Sequence, residues 1–237
     1  MKLLPKFVSI CQGDGWFTKH IGLLTTMRTA LLAIVFSATC FAAGTDTEAV
    51  SNHAIQAKIH YCQDCHGMSG QGISGGYLPI PRIAGQTPKY IEKQLQAFNE
   101  AMRDKNSNVG LTTAHTLKPA MRLALAAHFS SLNPEPVGVG PRQLVATGKI
   151  IYEEGVPAAN VPSCAGCHGP EAKGKNEIPR LAGQLNSYTE KELTNWSKLR
   201  GQNPLNEGAA GPMKQIAHSL SRSQIFALSA YLSYLKP

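Results

Sequence analysis

The chain lacks several features that would have opened other readings. No run alternates apolar and polar residues convincingly enough to propose a sheet. The apolar run from Ala30 to Ala38 is too short to span a bilayer comfortably. Cysteine is scarce, with six in 237 residues. Two of these, Cys11 and Cys40, lie near the N-terminus, and the other four fall into two close pairs. A strong excess of either charge is missing too. Without Lys2, Lys6, Lys19, Arg28 and Asp14 of the first 42 residues, 19 basic residues face 14 acidic ones, a balance near +5 that gives no argument for nucleic acid.

The paired cysteines are where the sequence becomes specific. Cys164-Ala165-Gly166-Cys167-His168 and Cys62-Gln63-Asp64-Cys65-His66 each pack two thiols and an imidazole into five residues. Such a segment can hold one haem covalently, each thiol adding to a haem vinyl group as a thioether, with the adjacent histidine as proximal iron ligand. A four-cysteine zinc site or a redox dithiol are the competing readings, and neither needs histidine after the second cysteine, twice. Two covalent haem c groups are therefore expected.

Residues 1–26 read as upstream sequence. From Met27 the chain shows Arg28, the apolar run Ala30–Ala38, and small residues around Ala42, the layout of a secretory signal peptide over 27–42. Cleavage after Ala42 would place Cys40 and Ala42 at the two small-residue positions. An uncleaved membrane anchor is the alternative, with possible peripheral membrane association. A lipid-modified Cys40 is disfavoured, because Ser37-Ala38-Thr39 precedes it and not a leucine-led segment. Removing the leader leaves no spare thiol. Covalent haem is attached outside the bacterial cytoplasm, so the expected compartment is the periplasm.

The roughly 195 remaining residues suffice for two small domains of about 90 to 100 each, and internal repetition says how they are arranged. Ala57-Lys58-Ile59-His60-Tyr61 echoes Gly148-Lys149-Ile150-Ile151-Tyr152, and Pro81-Arg82-Ile83-Ala84-Gly85-Gln86 echoes Pro179-Arg180-Leu181-Ala182-Gly183-Gln184. Tyr90 to Leu95 echoes Tyr188 to Leu193, and Leu117 to Leu132 echoes Leu220 to Leu235. The expected domains are 43–133 and 142–237. They are joined by a linker over 134–141 whose prolines favour extended backbone. The second copy inserts Glu153 to Ser163 before its motif.

Helix signals recur in both copies. Thr87 and Pro88 suit an N-cap and first position; Ser187 with Glu190, and Ser221 with Gln224, suit capping boxes. Ile225, Leu228, Ala230, Leu232 and Leu235 form an apolar stripe, matched by Met121, Leu125, Ala127 and Phe129. The fold expected is all-α.

With these motifs the chain resembles the di-haem cytochrome c4 family, two class I cytochrome c domains in tandem, over nearly all of the part after the leader. The resemblance implies that Pro81 and Pro179 offer their carbonyls to the second ring nitrogens of His66 and His168. A fixed acceptor there sets each imidazole's tautomer and strengthens it as an iron donor. It also places the distal ligand of the second haem at Met213, in a loop before the last helix. The first copy has Gly110 at that place and no methionine from Asn106 to Pro119. His115 is the strong-field donor in that loop, giving His66 and His115 as an axial pair. Met102 after a loop rearrangement, or an open five-coordinate iron, are the alternatives. Met68 is tied to the proximal side, Met121 lies inside a helix, and His128 reads as structural.

Two functions follow. One is an electron carrier, not an enzyme, in which a lower-potential first haem and a higher-potential second haem pass single electrons between redox protein partners such as a respiratory complex or terminal oxidase. The other is a haem enzyme or a binding protein for peroxide, nitric oxide or carbon monoxide at an open first haem. A thiosulfate-oxidising enzyme with an axial cysteine is disfavoured because no fifth cysteine would survive removal of the leader, and a di-haem peroxidase by the short domains.

Overall fold

A computed structural model describes residues 50–75, 78–100, 115–196 and 207–236, with backbone alone over 207–210. The leader, the Met102 position and the loop on either side of Gly110 lie outside the described residues. These described residues belong to one compact unit. Among the described residues every regular element is helical, and pairing is confined to isolated bridges such as Ile73 with Ile80 and Lys175 with Ile178.

The first half is built from α1 (Asn52–His66), α2 (Pro88–Asn99) and α3 (Pro119–Ser131). Ser51 caps α1 by accepting from the Ala54 N–H at 3.2 Å, and Thr87 caps α2 with Pro88 in its first turn. α3 packs on α1 and α2, burying Ile59, Ile91, Leu125, Ala126 and Phe129 together. Ala126 faces the core and Ala127 is exposed, one position away from the expected stripe.

The second half contains α4 (Val145–Glu154), the short α5 (Ala165–His168), α6 (Asn186–Thr194), α7 (Glu207–Ser219) and α8 (Arg222–Tyr234). Ser221 and Gln224 form the expected capping box on α8. The box expected at Ser187 does not form: α6 starts at Asn186, so Ser187 is already inside the helix and its buried hydroxyl has no partner. α8 is buried nearly all round, because α4 and α6 pack on it and the 133–141 segment lies against it, with Tyr234 donating to the Gly140 carbonyl at 2.6 Å. That segment has neither helix nor strand.

α4 and α8 touch at Gly148, where a Cβ would sit 2.0 Å from the Ala227 carbonyl oxygen and 2.7 Å from Tyr231 Cβ. Overpacking costs about 1–3 kcal/mol, and a backbone carbonyl cannot swing aside, whereas alanine's helix propensity returns only about 1 kcal/mol. Gly148→Ala should therefore destabilise the protein by about 1–2 kcal/mol net in chemical denaturation, the upper part of that difference, because the contact is with backbone. An unchanged midpoint would mean that the two helices separate freely.

The two halves repeat at the level of single hydrogen bonds. Gly72 N–H donates to the His66 carbonyl and Gly174 N–H to that of His168. Gly85 N–H bonds to Phe129 and Gly183 N–H to Leu232. The echo before the motifs does not extend to burial. Ile59 is buried whereas its counterpart Ile150 is 55% exposed, and Tyr152 is fully buried whereas Tyr61 is 50% exposed. The helices also differ in extent: α1 runs on through its own motif to His66, whereas α4 stops at Glu154 and a bridged turn intervenes before Cys164.

Candidate haem sites

In each half the first cysteine of the motif is half-buried and the second exposed, while the following histidine is buried. α1 carries Cys62, Cys65 and His66 on its last turns, and Gly67, at φ +82°, turns the chain away immediately afterwards. Cys164 N-caps α5, which ends at His168 before Gly169, again at φ +82°. The four thiols form no disulfide. Burial pushes Cys62 and Cys164 each up to about 11, the reverse of the lowered value that a redox dithiol needs for its thiolate. Among the described residues no three His, Cys, Asp or Glu side chains gather as a metal site, so the cysteines are two separate pairs and not a four-thiolate zinc centre.

The proximal geometry is the same in both halves. His66 Nδ1 donates to the Pro81 carbonyl at 2.9 Å, and His168 Nδ1 to the Pro179 carbonyl at 2.9 Å. Because a carbonyl only accepts, the proton sits on Nδ1 and leaves the Nε2 lone pair for iron. Burial is the main cause holding His66 down to about 4, with the neighbouring His115 adding to it, and burial lowers His168 as well. Both imidazoles are thus neutral and in the tautomer that a metal requires.

The pieces fit a haem in another respect. Arg82 and Arg180 are 3% and 7% exposed, and each donates its Nε–H to a backbone carbonyl two residues on, Ala84 and Ala182. Arg180 Nη2 is buried with no partner. Burial and then Arg180 pull Arg82 down to about 10, so it remains a cation. A haem carries two propionates, anions of the kind that buried guanidinium donors take.

The candidate distal groups differ between halves. His115 is half-buried, its ring centroid 6.1 Å from that of His66 with planes at 88°, and it stacks on Phe98 of α2 at 4.4 Å and 21°. Nothing in the sequence pattern singled out Phe98. Met213 is half-buried against the second core. It lies within α7 and not in a loop; the helix continues through Pro212, which forgoes the backbone bond that a proline cannot make. Met68 is 71% exposed, Met121 packs against the first core, and His128 sits edge-on to Phe129 at 5.0 Å, so none of these is drawn toward His66.

Residues 145–236 match the Cytochrome c family model. The chain is 34% identical over 208 residues to cytochrome c-552 of Acidithiobacillus ferridurans, covering 85% of this chain and 86% of that one. It is 33% identical to cytochrome c4 of Pseudomonas aeruginosa, covering 76% and 86%. A thiosulfate dehydrogenase electron acceptor of Thiomonas intermedia is 32% identical, covering 73% and 77%. Among solved structures, the cytochrome c4 of Acidithiobacillus ferrooxidans superposes with a TM-score of 0.62 at 34% identity, covering 74% of this chain and 99% of that one. Two CxxCH motifs, two neutral buried histidines on proline carbonyls and this likeness over most of the chain lead to one conclusion: the protein belongs to the cytochrome c4 family, di-haem electron-transfer cytochromes of the class I fold with covalently bound haem c.

Proposed function

We propose that the protein is a periplasmic one-electron carrier whose two haems differ in axial ligation, His66 with His115 at the first and His168 with Met213 at the second. Cys62 and Cys65 would hold the first haem, Cys164 and Cys167 the second. The observation that carries the asymmetry is the His66–His115 pair. These two imidazoles, one on α1 and the other just before α3, would hold the first haem between them, supplying two strong nitrogen donors. The two rings stand 6.1 Å apart, and Phe98 holds one of them in place. A second imidazole favours Fe(III) and a thioether favours Fe(II), so the first haem takes the lower potential and electrons rest at the second. The donor and acceptor are redox proteins, in keeping with the electron-acceptor relative.

Holoprotein recovered from the periplasmic fraction tests this. His115→Ala should leave the second haem untouched and open the first to carbon monoxide, which wild type should not bind. Carbon monoxide binding by wild type would support an open first haem, the enzyme or ligand-binding reading. A His115→Ala protein that still excludes it would point to another ligand such as Met102.

A further inference from the structure

The halves are joined by two reciprocal clasps, each closing on the peptide group that holds the other half's proximal histidine. Gln184 Oε1 accepts from the Arg82 N–H at 2.8 Å, and its Nε2 donates to the Arg82 carbonyl at 3.0 Å. Gln86 does the same to Arg180, at 2.6 Å and 3.0 Å. Both glutamines are buried, at 6% and 7% exposure. The Arg82 N–H belongs to the same peptide unit as the Pro81 carbonyl that accepts from His66. The Arg180 N–H likewise belongs with the Pro179 carbonyl that accepts from His168. A hydrogen-bond chain therefore runs from Gln184 through peptide 81–82 to His66, and another from Gln86 through peptide 179–180 to His168. Each glutamine Oε1 also accepts from the next backbone N–H, Thr87 or Leu185, which fixes its amide.

We infer that Gln184 and Gln86 are positioning residues that tune the haem of the opposite half. An acceptor on a peptide N–H makes that peptide's carbonyl more negative, since hydrogen bonds in a chain polarise one another by roughly 10–30% per bond. A more negative carbonyl draws harder on the histidine Nδ1–H, makes the imidazole a stronger donor and favours Fe(III). Gln184 thereby lowers the potential of the first haem, and Gln86 that of the second. Gly85 and Gly183 keep the clasps close. A Cβ on Gly85 would lie 2.4 Å from Arg180 Nη1, and one on Gly183 would lie 3.3 Å from Arg82 Nη1.

This inference rests on the two-haem reading, and the test separates the two. Pyridine haemochrome assay must first give two haems per wild-type chain; one haem would sink the two-haem reading itself. Redox titration of Gln184→Leu, with each wave assigned by hyperfine-shifted proton NMR, should then raise the first haem. Its Fe(II) to Fe(III) ratio at a fixed poise should rise about threefold or more, where tenfold would be about 59 mV. The second haem should stay in place. Gln86→Leu should give the mirror result. Gln184→Glu keeps an acceptor, now charged, on the Arg82 N–H and should move the first haem the opposite way, more than the second. It serves as the reading should Gln184→Leu fail to load haem. A shift of both haems alike, of the haem in the mutated half alone, or of neither overturns the inference.

Discussion

Met213→His should lower the potential of the second haem and close most of its gap to the first. The thioether is a soft donor that stabilises reduced iron, whereas imidazole donates more strongly and stabilises oxidised iron. Axial ligands set haem potentials over about 0.8 V, and about 59 mV shifts a one-electron equilibrium tenfold. Even part of that range amounts to several powers of ten in where the electron rests. Wild type should titrate in two waves, and its oxidised spectrum should show the methionine–iron charge-transfer band at one equivalent per two haems. In Met213→His that band should vanish, with the upper wave falling toward the lower. Two equal, high potentials in wild type would mean that a methionine such as Met102 reaches the first iron. A Met213→His protein retaining the band would remove Met213 as ligand.

Cys62→Ala and Cys164→Ala should each remove one covalent haem and leave the other in place, taking the haemochrome stoichiometry from two toward one. The halves have separate buried clusters, one around Leu125 and Phe129 and the other around Tyr152 and Leu228, and each motif is held by hydrogen bonds within its own half. Attachment at one motif therefore does not depend on the covalent chemistry of the other. Loss of both haems on either substitution would show that the halves load as one unit. The glutamine clasps would then be the first contacts to suspect, since they span the boundary between halves.

Much of the haem chemistry was legible because it is local. Covalent attachment needs two thiols and an imidazole on one turn, and five consecutive residues state that outright. The proline carbonyls were placed by the resemblance to the family, and both histidines are 2.9 Å from them. Helix starts at Thr87 and Ser221 were readable because an N-cap is a contact among neighbours in sequence. Ser187 failed by the same logic, since the chain turned helical one residue too early for it to cap.

What the sequence by itself determined, then, is the pair of haem motifs, the duplication, the helical class and the lack of a methionine from Asn106 to Pro119. Tertiary structure decided which residues meet across long separations. The pattern Pro-Arg-x-Ala-Gly-Gln was visible twice, yet only its proline suggested a role, because each glutamine's partner lies in the other copy. Ile59 and Ile150 look equivalent in sequence, but one is buried and the other is exposed. The stacking of Phe98 on His115, and of His115 beside His66, likewise brings together separate elements. Periodicity and caps record what a segment does with its neighbours within a few residues. Register between distant elements depends on which side chains can interpenetrate, at Gly148 against Ala227 and at Gly85 against Arg180, and close packing settles that only when the halves are assembled.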